Sequence, residues 1–430
     1  MNKSKEIWMS GFALFSLFFG AGNLILPPYL GVNSGNQWIW VVLGFILTAV
    51  FIPILGILAH ARVQGTLYDL GKKVSPWFST LYCILIYVIA VTLPAPRTAS
   101  VTHEMAVQPF FGTDANSWIT SSIYFALTFI FVINRSKIIS LIGKFLTPII
   151  VFILLAIISL ALSSSPEAMN SNTYSVPFVS GILEGYQTFD AIGGVVVGAV
   201  IIISFNLRGH TSYAAKREMI TKAGLIAGGG LLLIYGGLIF SGATLGSTFA
   251  EGASRTEILT GLSTQTLGTI GTSFLSVLVA LACFTTGVGI VTGASDYVKG
   301  VFNNSKVAYT ITAVVSCILG ILIGQFDVHF IIDVALPALM FIYPITIVLI
   351  LLNVLPKKWS SVLVFRGVVI AAFVFSIPDF LKFFVPEGSL TSIQSWVPLS
   401  SQGLGWVIPS AIAFVVMNLV QLSRKDIATI

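Results

Sequence analysis

The sequence predicts an all-α polytopic membrane protein with about twelve transmembrane helices. Three observations carry this: an apolar composition, the lengths of the apolar runs, and the placement of the basic residues. Of 430 residues, 56% are hydrophobic and 9% are charged, against about 25% charged in an ordinary soluble domain. A single water-soluble core also stops growing near about 250–300 residues. So much apolar surface requires lipid as its solvent.

A membrane span takes roughly 20 apolar residues. Runs of that length fall at 7–30, 38–58, 77–107, 118–133, 138–162, 178–206, 223–246, 270–299, 307–324, 328–355, 362–384 and 403–422. The first run follows Met-Asn-Lys-Ser-Lys-Glu and is too long for a signal-peptide core, so it is read as a span. The tenth is interrupted by Asp333, Pro337 and Pro344. The third and eighth runs are the longest and imply strong tilt. The longest connections, near 163–177 and 247–269, are polar loops rich in Ser, Thr and Gly.

Lys and Arg collect in cytoplasmic loops. Twelve spans with both termini inside place every one of the 22 basic residues in cytoplasmic segments except Arg97, Arg255 and Lys382. A miscounted span would scramble that alternation. The net charge of +6 therefore reflects topology rather than an acidic partner. No basic stripe with interleaved aromatics suggests nucleic acid. Cys83, Cys283 and Cys317 sit inside apolar runs without C-x-x-C spacing, so they are expected to be small buried residues.

Two spans carry helix-weakening glycines beside a polar side chain. The first holds Phe19-Gly20-Ala21-Gly22-Asn23 and ends in Pro27-Pro28, and the sixth holds Gln187-Thr188-Phe189-Asp190-Ala191-Ile192-Gly193-Gly194. Five spans separate them, as five separate the long third and eighth. An odd separation reverses orientation, so the pattern is an inverted repeat. The units are 1–162 (spans 1–5) and 178–355 (spans 6–10), followed by two terminal spans in 362–430. Interrupted helices at matching positions of two halves mark the binding site of a secondary transporter. Unwound backbone survives in a bilayer only where protein, water or ligand completes its hydrogen bonds. Broken helices offer N–H groups to an anion and carbonyls to a cation, which suits a zwitterionic amino acid and Na⁺.

The residues Gly11 to Pro28, Pro94-Ala95-Pro96-Arg97-Thr98-Ala99 and Thr188-Phe189-Asp190 resemble the bacterial branched-chain amino acid carrier family through all twelve spans. That resemblance implies import of leucine, isoleucine and valine with Na⁺, or H⁺, in a bacterial cell membrane. The family is in turn similar to LeuT-type inverted-repeat transporters. This second likeness implies an ion site from Ala282, Thr285 and Thr286 in the eighth span and the carbonyls of Ser16 and Phe19. The substrate is expected against Gly20, Ala21, Gly22, Asn23, Phe189, Asp190, Ala191, Gly193 and Gly194. No cofactor beyond the coupling ion is expected.

Each residue also has a plainer reading. Hydroxyls such as Thr285 and Thr286 can bond the carbonyl one turn back. Asp190 can cap a broken helix; alternatively it holds the substrate ammonium, ligates the cation or carries a proton. Arg97 can attract a carboxylate, pair with Glu104 or snorkel to the interface. Gly289 and Gly293 can form a small-residue packing face. A channel would need rings of carbonyls or charges along a pore. An enzyme would need a nucleophile and base in reach, and no such arrangement is evident.

Overall fold

In the computed structural model, residues 3–20, 23–134, 137–163, 169–207, 212–386 and 388–428 are described. Ala21, Gly22, Arg135 and Arg208 lie outside them. The first span is two helices, α1 (Lys3–Phe18) and α2 (Leu26–Ser34). The second comprises α3 (Trp38–Ile46) and α4 (Ile52–Val63), joined by a wide turn and followed by the short α5 (Leu67–Gly71). The third comprises α6 (Pro76–Thr92), α7 (Pro94–Thr102) and, beyond a second wide turn, α8 (Gln108–Phe111). The fourth and fifth are α9 (Ser117–Asn134) and α10 (Lys137–Ser163). The sixth is broken into α11 (Pro177–Tyr186) and α12 (Asp190–Leu207). Then come α13 (Tyr213–Leu245), α14 (Arg255–Val301), α15 (Lys306–Gly324), α16 (Val328–Val354), α17 (Val362–Leu381), α18 (Thr391–Trp396) and α19 (Val407–Ala428).

Eight stretches among the described residues are long and apolar enough to cross a membrane. The broken first and sixth spans, with apolar stretches in α10 and α19, fill the other expected positions. The molecule is inverted relative to a soluble protein. Trp77, Phe152 and Phe274 are 76%, 73% and 63% exposed, whereas Asn23, His60, Gln187 and Asp379 are buried. Such an apolar outer belt belongs against lipid. The three cysteines are free and buried.

The long third span bends at Leu93, between α6 and α7. Pro94 and Pro96 follow Leu93, and the ring of each proline removes an N–H from the ladder. Two expectations are corrected. The 247–269 connection is not wholly a loop. Ser254 caps a helix that starts at Arg255, with Glu257 completing a capping box. That lid helix turns sharply into the eighth span at Gly268, whose φ of +70° suits glycine. Finally, Gly289 and Gly293 face open space, not a packed helix. The tenth span runs unbroken through Pro337 and Pro344.

Close glycine contacts instead join the spans that carry the breaks. A Cβ on Gly31 of α2 would overlap the backbone at Ile239 of α13, and one on Gly242 would overlap Pro28. A Cβ on Gly181 of α11 would overlap the backbone at Val41 of α3, and one on Gly44 would overlap Phe178. Helices α2 and α11 of the two broken spans thus lock reciprocally onto α13 and α3. The residue spacing is the same in both pairs, as the inverted repeat of the fold requires.

Candidate functional site

Helix α1 stops because its ladder is diverted. The Gly20 N–H donates to Phe18 O at 3.0 Å, and the Asn23 N–H donates to Gly20 O at 3.0 Å. The Gly20 N–H thus turns from the Ser16 carbonyl it would meet in a continuing helix. The Tyr235 hydroxyl from α13 donates to Phe18 O at 3.4 Å. The Phe15 and Phe19 rings stack at 4.9 Å and anchor the turn in the core.

The second break is tighter. Gln187, Thr188 and Phe189 donate their N–H groups back to Glu184, Gly185 and Tyr186. Phe189 then takes φ +58°, which costs a non-glycine residue about 1–2 kcal/mol. Strain of this kind persists only where surrounding contacts impose it. Here the Phe189 ring lies under the Arg97 guanidinium, 5.3 Å from its centroid. Arg97 comes from α7, directly after the Pro94–Pro96 bend.

These elements bring five polar residues together. Asn23 Nδ2 donates to both Asp190 carboxylate oxygens, at 3.1 and 3.2 Å. Arg97 Nη1 donates to the Gln187 carbonyl at 2.7 Å, and Nη2 donates to Asn23 Oδ1 at 3.4 Å. The Asp190 N–H donates to Thr188 Oγ1 at 3.2 Å, so Thr188, not Asp190, closes the start of α12. Arg97 is 4% exposed. It neither snorkels nor pairs with Glu104, which instead accepts from Val328 N–H and from the Thr256 hydroxyl. The bend explains this: it turns α7 inward across the break.

The other expected substrate residues divide. Ala191 is fully buried. A Cβ on Gly193 would meet nothing within 4 Å, so this glycine fronts free space. Gly194 faces away, against Pro53 of α4. Gly20 lies beside the Asn23 side chain.

Of the implied ion ligands, Ala282, Thr285 and Thr286 stand together. Thr285 and Thr286 both donate to Ala282 O, at 2.9 and 3.0 Å. The Ser16 hydroxyl meets Thr147 of α10 at 3.1 Å. Helix α1 packs chiefly on α13, while α14 packs on α7 and α10.

On the face away from both termini, the lid helix closes over the site. Arg255 forms a two-pronged pair with Glu184 of α11, Nε to Oε1 at 2.9 Å and Nη2 to Oε2 at 3.2 Å. Its guanidinium lies 4.1 Å from the centroid of the Tyr29 ring of α2, and Nη1 approaches His329 Nδ1 of α16 at 3.3 Å. A cavity of about 790 Å³ opens beside this contact, lined by Glu104, Gln108, Asp327 and His329 among others. Sequence reasoning missed Gln187, Glu184 and the lid. Two signals pointed to them: Arg97 and Arg255 were among the three basic residues that broke the charge alternation.

A lipid-belted helical bundle whose two broken spans meet at a buried polar cluster is a membrane transporter, not an enzyme. Solved structures bear out that fold. Mhp1 in an inward-facing conformation superposes with a TM-score of 0.62 at 12% identity, covering 97% of this chain and 91% of that one. A Na⁺-coupled sialic acid symporter gives 0.58 at 14% identity, covering 96% and 90%. The chain belongs to the branched-chain amino acid transport protein family, whose model it matches over residues 3–424. It is 32% identical over 419 residues to the branched-chain amino acid transport system 2 carrier protein of Pseudomonas aeruginosa, covering 96% of this chain and 95% of that protein. It is 33% identical over 425 residues to the branched-chain amino acid permease BraB of Bacillus subtilis, covering 96% and 94%.

Proposed function

We propose that this protein imports leucine, isoleucine and valine across a bacterial cell membrane, coupled to Na⁺, by alternating access. One observation carries the mechanism. The breaks of the first and sixth spans meet at Asn23 and Asp190, beside a lid helix held by the Arg255–Glu184 contact. The family and the named relatives support the substrate class.

The amino acid sits between the breaks, against Gly20 to Asn23 and Phe189 to Gly193. An apolar wall takes its side chain, whose burial contributes about 1.5–3 kcal/mol. Such a wall separates ligands differing by one methylene by only about 1–3 kcal/mol, so the three substrates compete. Na⁺ binds between the first and eighth spans, at the Ser16 and Phe19 carbonyls, Ala282, Thr285 and Thr286. Hard cations take several oxygen ligands. The two hydroxyls donate to Ala282 O and still offer oxygen lone pairs to the ion. In this reading, ion binding draws the inner half of the first span toward the eighth.

The repeat units are assigned as 1–162 and 178–355, with 362–430 as an addition. Both termini are assigned to the cytoplasm, from the distribution of Lys and Arg. Labelled leucine uptake into proteoliposomes tests the whole reading. Uptake driven by an inward Na⁺ gradient and weakened by Thr285→Ala supports it. Uptake driven by a proton gradient alone overturns the Na⁺ coupling and moves the ion role to Asp190. Folded protein that takes up none of the three amino acids refutes the substrate class.

A further inference from the structure

The polar cluster between the breaks has an order to it. The Asn23 carboxamide stands between a carboxylate and a guanidinium, its nitrogen toward Asp190 and its oxygen toward Arg97. Arg97 and Asp190 are 4% and 7% exposed. Among the described residues, neither is in an ion pair. Two opposite charges are therefore buried close together and kept apart by one neutral amide. Separating buried charges from their counter-ions is costly, so the arrangement is incomplete as it stands.

A second observation points the same way. Among the described residues, Arg97 Nε has no hydrogen-bond partner, and neither the side-chain oxygen nor nitrogen of Gln187 has one. Gln187 is fully buried, and its own carbonyl holds Arg97 Nη1 at 2.7 Å. Buried polar atoms in native proteins are almost always paired. Two unsatisfied donors and one unsatisfied acceptor at contiguous residues call for a ligand with both an anionic and a cationic group.

We propose that the polar end of the transported amino acid is read by side chains, its carboxylate by Arg97 and Gln187 Nε2 and its ammonium by Asp190 and Gln187 Oε1. This rests on the carrier reading above. The Asn23 amide already has the required layout: a donor facing Asp190 and an acceptor facing Arg97, joined through one carbon. An α-amino acid joins its ammonium and carboxylate through Cα and carries full charges where the amide has partial ones. It supplies each buried charge with its counter-ion and leaves the site neutral overall. Charge-assisted hydrogen bonds of this kind are about twice as strong as neutral ones. The strained turn at Phe189 serves the same end, since it holds the Gln187 carbonyl and the Phe189 ring against one guanidinium. The substrate carboxylate is thus neutralised by the protein and needs no bound ion to do so.

The experiment compares leucine with two truncated analogues, 3-methylbutylamine (no carboxylate) and 4-methylpentanoate (no ammonium), as competitors of labelled leucine on purified full-length protein. Wild type should prefer leucine to either by about 100-fold or more, as expected when buried polar groups lose their partners. Arg97→Gln should collapse the preference over the amine and keep the preference over the acid. Asp190→Asn should do the reverse. Gln187→Leu removes no charge and stands in for either variant that fails to fold; it should narrow both preferences by about tenfold. A purely structural role would weaken all three ligands in parallel, and that result overturns the inference while leaving the carrier reading intact. Wild type that binds no leucine overturns both.

Discussion

The Arg255–Glu184 contact makes the most quantitative prediction. It joins the lid helix to the outer half of the sixth span, with side chains only 8% and 13% exposed. Removing one partner of a fully buried pair costs about 3–5 kcal/mol, while an exposed pair is worth about 0–1 kcal/mol. This pair borders a cavity, so Glu184→Gln is placed between these limits, at about 2 kcal/mol. The contact requires the lid to be closed, so the loss falls on the closed arrangement and shifts closed against open by about 30-fold. Leu259 on the lid helix is fully buried and reports on opening. With Leu259→Cys in the background, a membrane-impermeant thiol reagent applied from outside should label about 30-fold faster in the Glu184→Gln variant. Arg255→Gln should act similarly, and the double variant should add little, because the two residues share one interaction. A labelling rate unaffected by Glu184→Gln, in protein with normal thermal stability, would refute the assignment of this pair as a closure.

Other outcomes follow from particular contacts. Gly31→Ala and Gly181→Ala should each lower the melting temperature of the purified protein, since an added Cβ meets backbone and overpacking costs about 1–3 kcal/mol or more. Gly289→Ala, with open space at its Cβ position, should leave the melting temperature unchanged; an equal loss in all three variants would contradict this account. Phe189→Gly relieves φ +58° but removes the ring from under Arg97, a contact worth about 2 kcal/mol when desolvated. It should therefore raise the KM for leucine about tenfold or more while the protein stays folded; an unchanged KM would show the ring to be dispensable. Thr285→Ala should raise the Na⁺ concentration for half-maximal uptake while leaving leucine affinity at saturating Na⁺ nearly unchanged. A loss of leucine affinity without any change in Na⁺ dependence would remove Thr285 from the ion site.

The relation between sequence and structure differs from feature to feature. The spans were legible because lipid demands long apolar runs and the basic residues alternate with topology. The first break was legible in Gly20 beside Asn23, whereas the second falls at Gln187–Phe189 and Gly193 and Gly194 lie within the regular helix α12. The bend of the third span was written in Pro94 and Pro96, yet length alone suggested tilt. The lid helix was hidden because its apolar face is short and its Ser254–Glu257 capping box sits in a polar segment.

The sequence by itself determined the solvent and the two spans in which helices fail, since both depend on local composition and spacing. Only the tertiary structure decided that Arg97 turns inward to meet Gln187 and Asn23, that Arg255 reaches Glu184 and Tyr29, and that Ser16 pairs with Thr147. Those facts join residues from 71 to 226 positions apart. Pairings at such separations depend on how helices cross and bend, and no local pattern encodes them. The cost of burying an unpaired charge is what made them necessary, and the two arginines out of step with the charge alternation were its trace in the sequence.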